Sequence, residues 1–157
     1  MKYNLLRFSL MSIFAMLGGM WCMNAFADSW VKTSASDLQT GDVVVIVDQT
    51  SSMAMSNDQG TAKAPVATAV TLNGDKSEIS DEVADNLKWE VTVSDGSYQF
   101  CVPGTEDYVY CTNTNNGVRV GTNANNAFTV YDNEGVDFLV NTATTRYIGV
   151  YNNQDWR

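Results

Sequence analysis

The chain has 157 residues, with 18 acidic against nine basic side chains, no histidine and three cysteines. Its net charge of −9 repels phosphate backbones and argues against nucleic acid as a partner. The missing imidazole removes the usual general base, triad partner and zinc ligand, so no catalytic residue, metal or cofactor is expected.

The first 27 residues have the form of a signal peptide. Lys2 and Arg7 supply the positive start, Phe8 to Met23 carries no charge, and Ala25-Phe26-Ala27 stands ahead of Asp28. The uncharged run is 16 residues, short of the ~20 that a membrane span needs. Trp21 before Cys22 is not the small residue that precedes a lipid-modified cysteine. Residues 1–27 are therefore expected to leave by cleavage near Ala27, and residues 28–157 to form a single β-rich domain outside the cytoplasm, without membrane contact. All 18 acidic residues and seven of the basic ones lie beyond Ala27, which takes that domain to −11.

Strand signals dominate the remainder. Ser36 is placed to cap one short turn through Asp37-Leu38-Gln39, ended by Gly41. Val43-Val44-Val45-Ile46-Val47 is β-branched throughout and too short for a helix of its own. Asp48-Gln49-Thr50-Ser51-Ser52 looks like the Asp-x-Ser/Thr-x-Ser metal loop of von Willebrand A domains. Those domains follow the loop with a long helix, and here Asn57-Asp58-Gln59-Gly60 and Pro65 interrupt, so a polar hairpin turn is expected. Glu78 to Asn86, with Ile79 and Val83 four apart, predicts a short surface helix. The acidic stretch from Asp75 to Asp85 lacks EF-hand spacing and reads as a solvated loop. Alternating strands follow at Trp89–Val93, Tyr98–Val102, Val118–Val120 and Phe128–Tyr131, separated by turns such as Asp95-Gly96, Pro103-Gly104, Asn115-Asn116-Gly117 and Glu134-Gly135. Cys101 and Cys111, ten apart across one such turn, suit either a disulfide or a pair of half-buried free thiols.

A weak internal repeat organises these strands. Three times an apolar strand, a Thr/Ser-containing turn, a second apolar strand and an Asn succeed one another: from Val43 to Asn57, from Tyr98 to Asn113 and from Val136 to Asn152. Units of four strands with an aromatic residue in the closing strand predict an all-β, β-trefoil-like barrel of short antiparallel strands, with a β-sandwich as the alternative. The second unit, 98–135, has 38 residues. The third has 22, from Val136 to Arg157, so the third repeat is expected to be incomplete and the domain C-terminally truncated, with further domains of a longer chain beyond it.

The run Trp30-x-x-Thr33, Asp37-Leu38-x-x-Gly41-Asp42 and Val43 to Val47, then Met53 to Asn57, Tyr110-Cys111-Thr112-Asn113 and Arg146 to Tyr151, resembles β-rich accessory modules of secreted and surface proteins of Gram-negative gut-type bacteria. The resemblance covers most of residues 30–157 and rests on scaffold residues without a catalytic motif. It implies a non-catalytic module, secreted or held at the cell surface or periplasm.

Function is the least legible part. Asn113 and Asn115 offer amides, and Tyr108, Tyr110, Tyr147 and Tyr151 offer rings, for a sugar with a polar rim and an apolar face. The same residues also suit tight turns and strands. Gln154-Asp155-Trp156 matches the Gln-x-Trp of ricin-type lectin repeats once, away from a repeat's closing position. The expectation is an accessory module for polysaccharide or another cell-surface macromolecule. The alternatives are a structural or adhesion subunit assembling through open strand edges, and a small carboxylate-dependent glycoside hydrolase.

Overall fold

The computed structural model describes residues 3–8, 30–132 and 137–157. The expected cleavage motif at Ala25 to Ala27, Cys22, most of the apolar leader and the Glu134-Gly135 turn lie outside the described residues. Fourteen strands are described: β1 (Tyr3–Phe8), β2 (Trp30–Thr33), β3 (Val43–Asp48), β4 (Met53–Met55), β5 (Ala67–Ala69), β6 (Glu78–Ile79), β7 (Trp89–Ser94), β8 (Ser97–Cys101), β9 (Tyr108–Cys111), β10 (Val118–Gly121), β11 (Phe128–Asp132), β12 (Asp137–Asn141), β13 (Val150–Tyr151) and β14 (Asp155–Trp156). Helix among the described residues is confined to two single 3-10 turns, Ala35–Asp37 and Asp85–Leu87.

Every strand pairing is antiparallel, and the repeat is visible in the connectivity. In the first unit β3 leads into the β4–β5 hairpin and returns through β7. In the second β8 leads into the β9–β10 hairpin and returns through β11. The third has β12 followed by the β13–β14 hairpin. The returning strands link the units, since β7 pairs with β8 over five residues and β11 with β12 over five. This is the plan of a β-trefoil, as the sequence predicts. The strands run β3, β7, β8, β11, β12, β1 and back to β3. The β12–β1 seam is one residue pair, Asp137 with Tyr3, so the sheet stops short of a closed barrel.

The turn after the leading strand shows why the repeat recurs. Asp48, 2 % exposed, accepts the N–H groups of Thr50 and Ser51 on Oδ1 at 2.9 and 3.4 Å. Asn141, fully buried, accepts the Thr144 N–H and hydroxyl on its own Oδ1 at 3.0 and 2.9 Å. Both are carbonyl or carboxylate oxygens satisfying turn amides that would otherwise be stranded at the end of a buried strand. The metal-loop look-alike at Asp48 is thus such a turn.

Core residues come from all three units. Trp89, Phe100, Phe128, Leu139, Ile148 and Trp156 pack with Val44 and Ile46 in one cluster, and the Trp89 indole N–H donates to Met55 O at 3.2 Å. The alternate β3 residues, Val45 and Val47, join Trp30, Ala54, Ile79, Val83 and Leu87 in a second cluster. Strand β3 therefore buries both faces, and Val44 to Val47 are all fully buried.

The helix expected over Glu78 to Asn86 is absent. Glu78 and Ile79 pair instead with Val31 and Trp30, and Ser80 N–H donates to Thr71 O at 2.9 Å. Ile79 and Val83 are both buried, so their spacing marks anchors of an extended segment that crosses the second cluster. A period of four over so few residues does not separate the two conformations.

Two expectations follow from the seam at β1. In the full 157-residue chain, Leu6→Pro places a proline in the middle of β1, between Val45 of β3 and Lys32 of β2. Amide exchange of Val44 to Val47 is then expected to speed up about tenfold or more, while the β7–β8 amides keep their protection. Unchanged β3 exchange would show that β1 does not hold that edge. Asp137 faces Asp132 across β11–β12, and burial first, then the Asp132 charge, raise its carboxyl above the ordinary range against the pull of Lys32. A carboxyl raised on folding stabilises the fold below the unfolded pKa of about 4 and loses that contribution as pH climbs through the folded value. Asp137→Asn should therefore raise the melting temperature at pH 7, and the gain should vanish by about pH 3.5.

Candidate functional site

The loop from Thr112 to Gly117, between β9 and β10, is built to a fixed shape. Thr112 N–H donates to Gly117 O at 2.9 Å, and the Thr112 and Thr114 hydroxyls share a hydrogen bond of 2.8 Å. Asn116 adopts a left-handed backbone, φ 61°. A Cβ at Gly117 would collide with the Thr112 hydroxyl and lie 2.8 Å from the carbonyls of Thr112 and Thr114, so glycine is required there. Two guanidinium groups tie the loop down. Arg119 Nη1 donates to Asn116 O at 2.8 Å and to Val118 O at 2.7 Å, and Arg146 Nη2 reaches from the third unit to Asn113 O at 3.1 Å.

Between this loop and the third unit lies a cavity of about 40 Å³. Its lining includes Thr114, Asn116, Arg146, Tyr147 and Arg157, over a floor that contains Cys111 and Ile148. Among the described residues no acidic side chain lines it. The Asn116 Oδ1 is buried and has no hydrogen-bond partner among the described residues. Tyr147 is 56 % exposed, and its ring is met edge-on by Tyr131 at 6.3 Å and by Phe138 at 6.1 Å. Such edge-to-face contacts fix the ring while leaving area open to solvent. Arg157 completes the rim, its Nε and Nη2 on the two oxygens of Asp155 at 2.8 and 3.3 Å and its guanidinium 3.8 Å from the Tyr151 ring centroid.

The six candidate ligand-binding residues therefore divide. Tyr147 lines the cavity, Tyr151 backs its Arg157 rim, and Asn113 and Asn115 belong to the loop that walls it. Tyr110 is 7 % exposed and faces Arg119 across β9–β10, which takes its ring out of reach of a ligand. Tyr108 pairs with Gly121 and Cys101 and is bonded to the Cys101 thiol, away from the cavity. Arg146, Arg157 and Tyr131 are not singled out by the sequence as ligand contacts, whereas Asn116 belongs to the Asn113 to Gly117 run that offers amides. The scarcity of basic residues was the available signal, because two of the seven beyond Ala27 meet at one small cavity.

A wider groove of about 400 Å³ lies among Asn57, Asp85, Asn86, Lys88, Val102 and Pro103. It has no aromatic lining, and its charges satisfy one another, Lys88 Nζ lying 2.7 Å from Asp85. The Tyr147 cavity is the better candidate because it alone of the two joins an exposed ring to a guanidinium, that of Arg146, with no carboxylate partner among the described residues.

Cys101 and Cys111 are free thiols. Cys101 stands opposite Tyr108, and Cys111 lies three residues farther along β9, roughly 10 Å at about 3.4 Å per residue, beyond the ~7 Å limit for a bridge. Burial pushes the Cys111 thiol up to about 12, against the opposing pull of Arg146. Burial also raises Cys101, with hydrogen bonds from Tyr108 and Thr105 working the other way. At pH 8 iodoacetamide should leave Cys111 unmodified in the native protein and label it only on unfolding, as peptide mapping would show. Rapid native labelling of Cys111 would contradict its buried, protonated state.

No family model and no curated relative matches the chain. Among solved structures it is similar to a designed threefold-symmetric protein, ThreeFoil, with a TM-score of 0.52 and 16 % identity over 72 % of this chain and 83 % of that one. At that identity the likeness concerns the fold alone: the chain is all-β, with a β-trefoil architecture.

Proposed function

We propose that residues 28–157 form a secreted, non-catalytic accessory module that binds a glycan at the Tyr147 cavity. The carrying observation is a braced, half-exposed aromatic ring beside a cavity with an orphan amide oxygen and two guanidinium groups. A pyranose needs that combination, an apolar platform for its ring face and polar groups for its rim. The leader pattern and the resemblance to accessory modules support the extracellular address.

Among the described strand pairings, the hydrolase alternative can draw on the opposed carboxylates Asp132 and Asp137 across β11–β12. A glycosidase needs its two carboxyl groups on either side of a bound glycosidic bond. Neither residue lines the Tyr147 cavity or the Asn57 groove. Assembly through strand edges has a specific observation in its favour, since removal of the leader would take β1 from the edge of β3.

Retention on a panel of immobilised polysaccharides tests the proposal. The native domain should be retarded on at least one polymer, and Tyr147→Ala should weaken binding about tenfold or more with little change in melting temperature. Free passage over every polymer would leave assembly as the surviving function.

A further inference from the structure

We infer that the sugar this site takes carries a carboxylate, which enters the cavity between Arg146 and Arg157 while the ring rests on Tyr147. The inference deepens the glycan-binding proposal and depends on it.

Size comes first. A cavity of about 40 Å³ admits one small group or a water or two, where pockets that enclose whole ligands run to roughly 300–1,000 Å³. A pyranose ring cannot enter, so only a substituent can, and the ring must stay outside. Tyr147 stands there with more than half its surface open.

Charge selects the substituent. The domain is strongly acidic, yet among the described residues the cavity lining holds two arginines and no acidic side chain, with Asp155 behind Arg157 as the nearest carboxylate partner. Arg157 is oriented by Asp155 and by the Tyr151 face, so its position is set before any ligand arrives. Arg146 has one N–H on the carbonyl of Asn113, and its field reaches the cavity floor, where it opposes the burial effect on Cys111. A planar guanidinium matches a planar carboxylate, and a hydrogen bond between two ions is about twice as strong as a neutral one.

The surrounding charge limits the ligand further. At −11 the domain repels a long polyanion, so a short acidic end group fits better than a densely charged polymer. Uronic acids have the required chemistry, an apolar ring face with one carboxylate at its edge.

Titration of the whole protein, followed by the NMR signals of Tyr147 and Arg146, discriminates the possibilities. The probes are methyl glucuronide, methyl glucoside and sodium acetate, at constant ionic strength. Methyl glucuronide should bind at least about tenfold more tightly than either of the others, and Arg146→Gln should remove that margin. Equal binding of glucoside and glucuronide would overturn the carboxylate inference and leave the glycan site standing. Acetate binding as tightly as glucuronide would show an anion site without a sugar platform, and would overturn it too. Failure of all three, together with free passage over the polysaccharide panel, would remove the glycan site itself. The probe comparison on the native protein stays decisive if Arg146→Gln misfolds.

Discussion

The edge of β3 is the constraint on which the domain depends. This strand is buried on both faces, and it carries contacts to each of the two core clusters. One edge is shared between β7 and β4, the first taking Val43 and Val44 and the second Val47 and Asp48. The other runs along β1 from Val44 to Asp48. Backbone groups in so dry a place cannot turn to water, and an unpaired one costs ~1–3 kcal/mol. A surface edge tolerates solvent; the edge of the most buried strand does not. Whatever chain segment lies along β3 in the working protein thus governs both core clusters at once.

The same logic explains how the three units hold together. Each contributes a leading strand and a hairpin, and in the first and third a polar side chain at the strand end, Asp48 or Asn141, satisfies the turn amides. No unit buries its large side chains alone: Phe100 of the second unit meets Phe128 across 6.1 Å, and Trp89 and Trp156, from the first and third, share their cluster. Stability is cooperative across units because the core is common property, whereas each hairpin is local.

Much of this was legible in the residues. β-branched runs, alternation and Gly or Asn turns located most of the strands, and the recurrence of strand, turn, strand and Asn revealed the threefold plan. Local pattern failed at Ile79 and Val83, where tertiary pairing with Trp30 overrode a short helical period. The partners of β3 were also invisible, because pairing between residues 3–8 and 44–48 is non-local and leaves no periodic trace. At the site, Tyr108, Tyr110, Tyr147 and Tyr151 look alike in sequence, and only the fold separates them. Tyr110 is packed against the β9–β10 pair, whereas Tyr147 emerges where the third unit bends back past the loop of the second.

That geometry also accounts for a positive seat on an acidic protein. Arg146 and Arg157 are 11 residues apart and belong to the third unit, while Thr112 to Gly117 belong to the second. The cavity lies where the second and third units meet, so its charge, its platform and its orphan amide come from the packing of one unit against the next. On the proposed reading, a general negative field around two local guanidinium groups acts as a filter. It weakens non-specific attraction to polyanions, which falls off over about a Debye length, and leaves the short-range bidentate contact intact. On the carboxylate reading proposed above, selectivity comes from the distance over which each force acts: long-range repulsion excludes densely charged chains, and contact chemistry retains a single carboxylate that presents its ring to Tyr147.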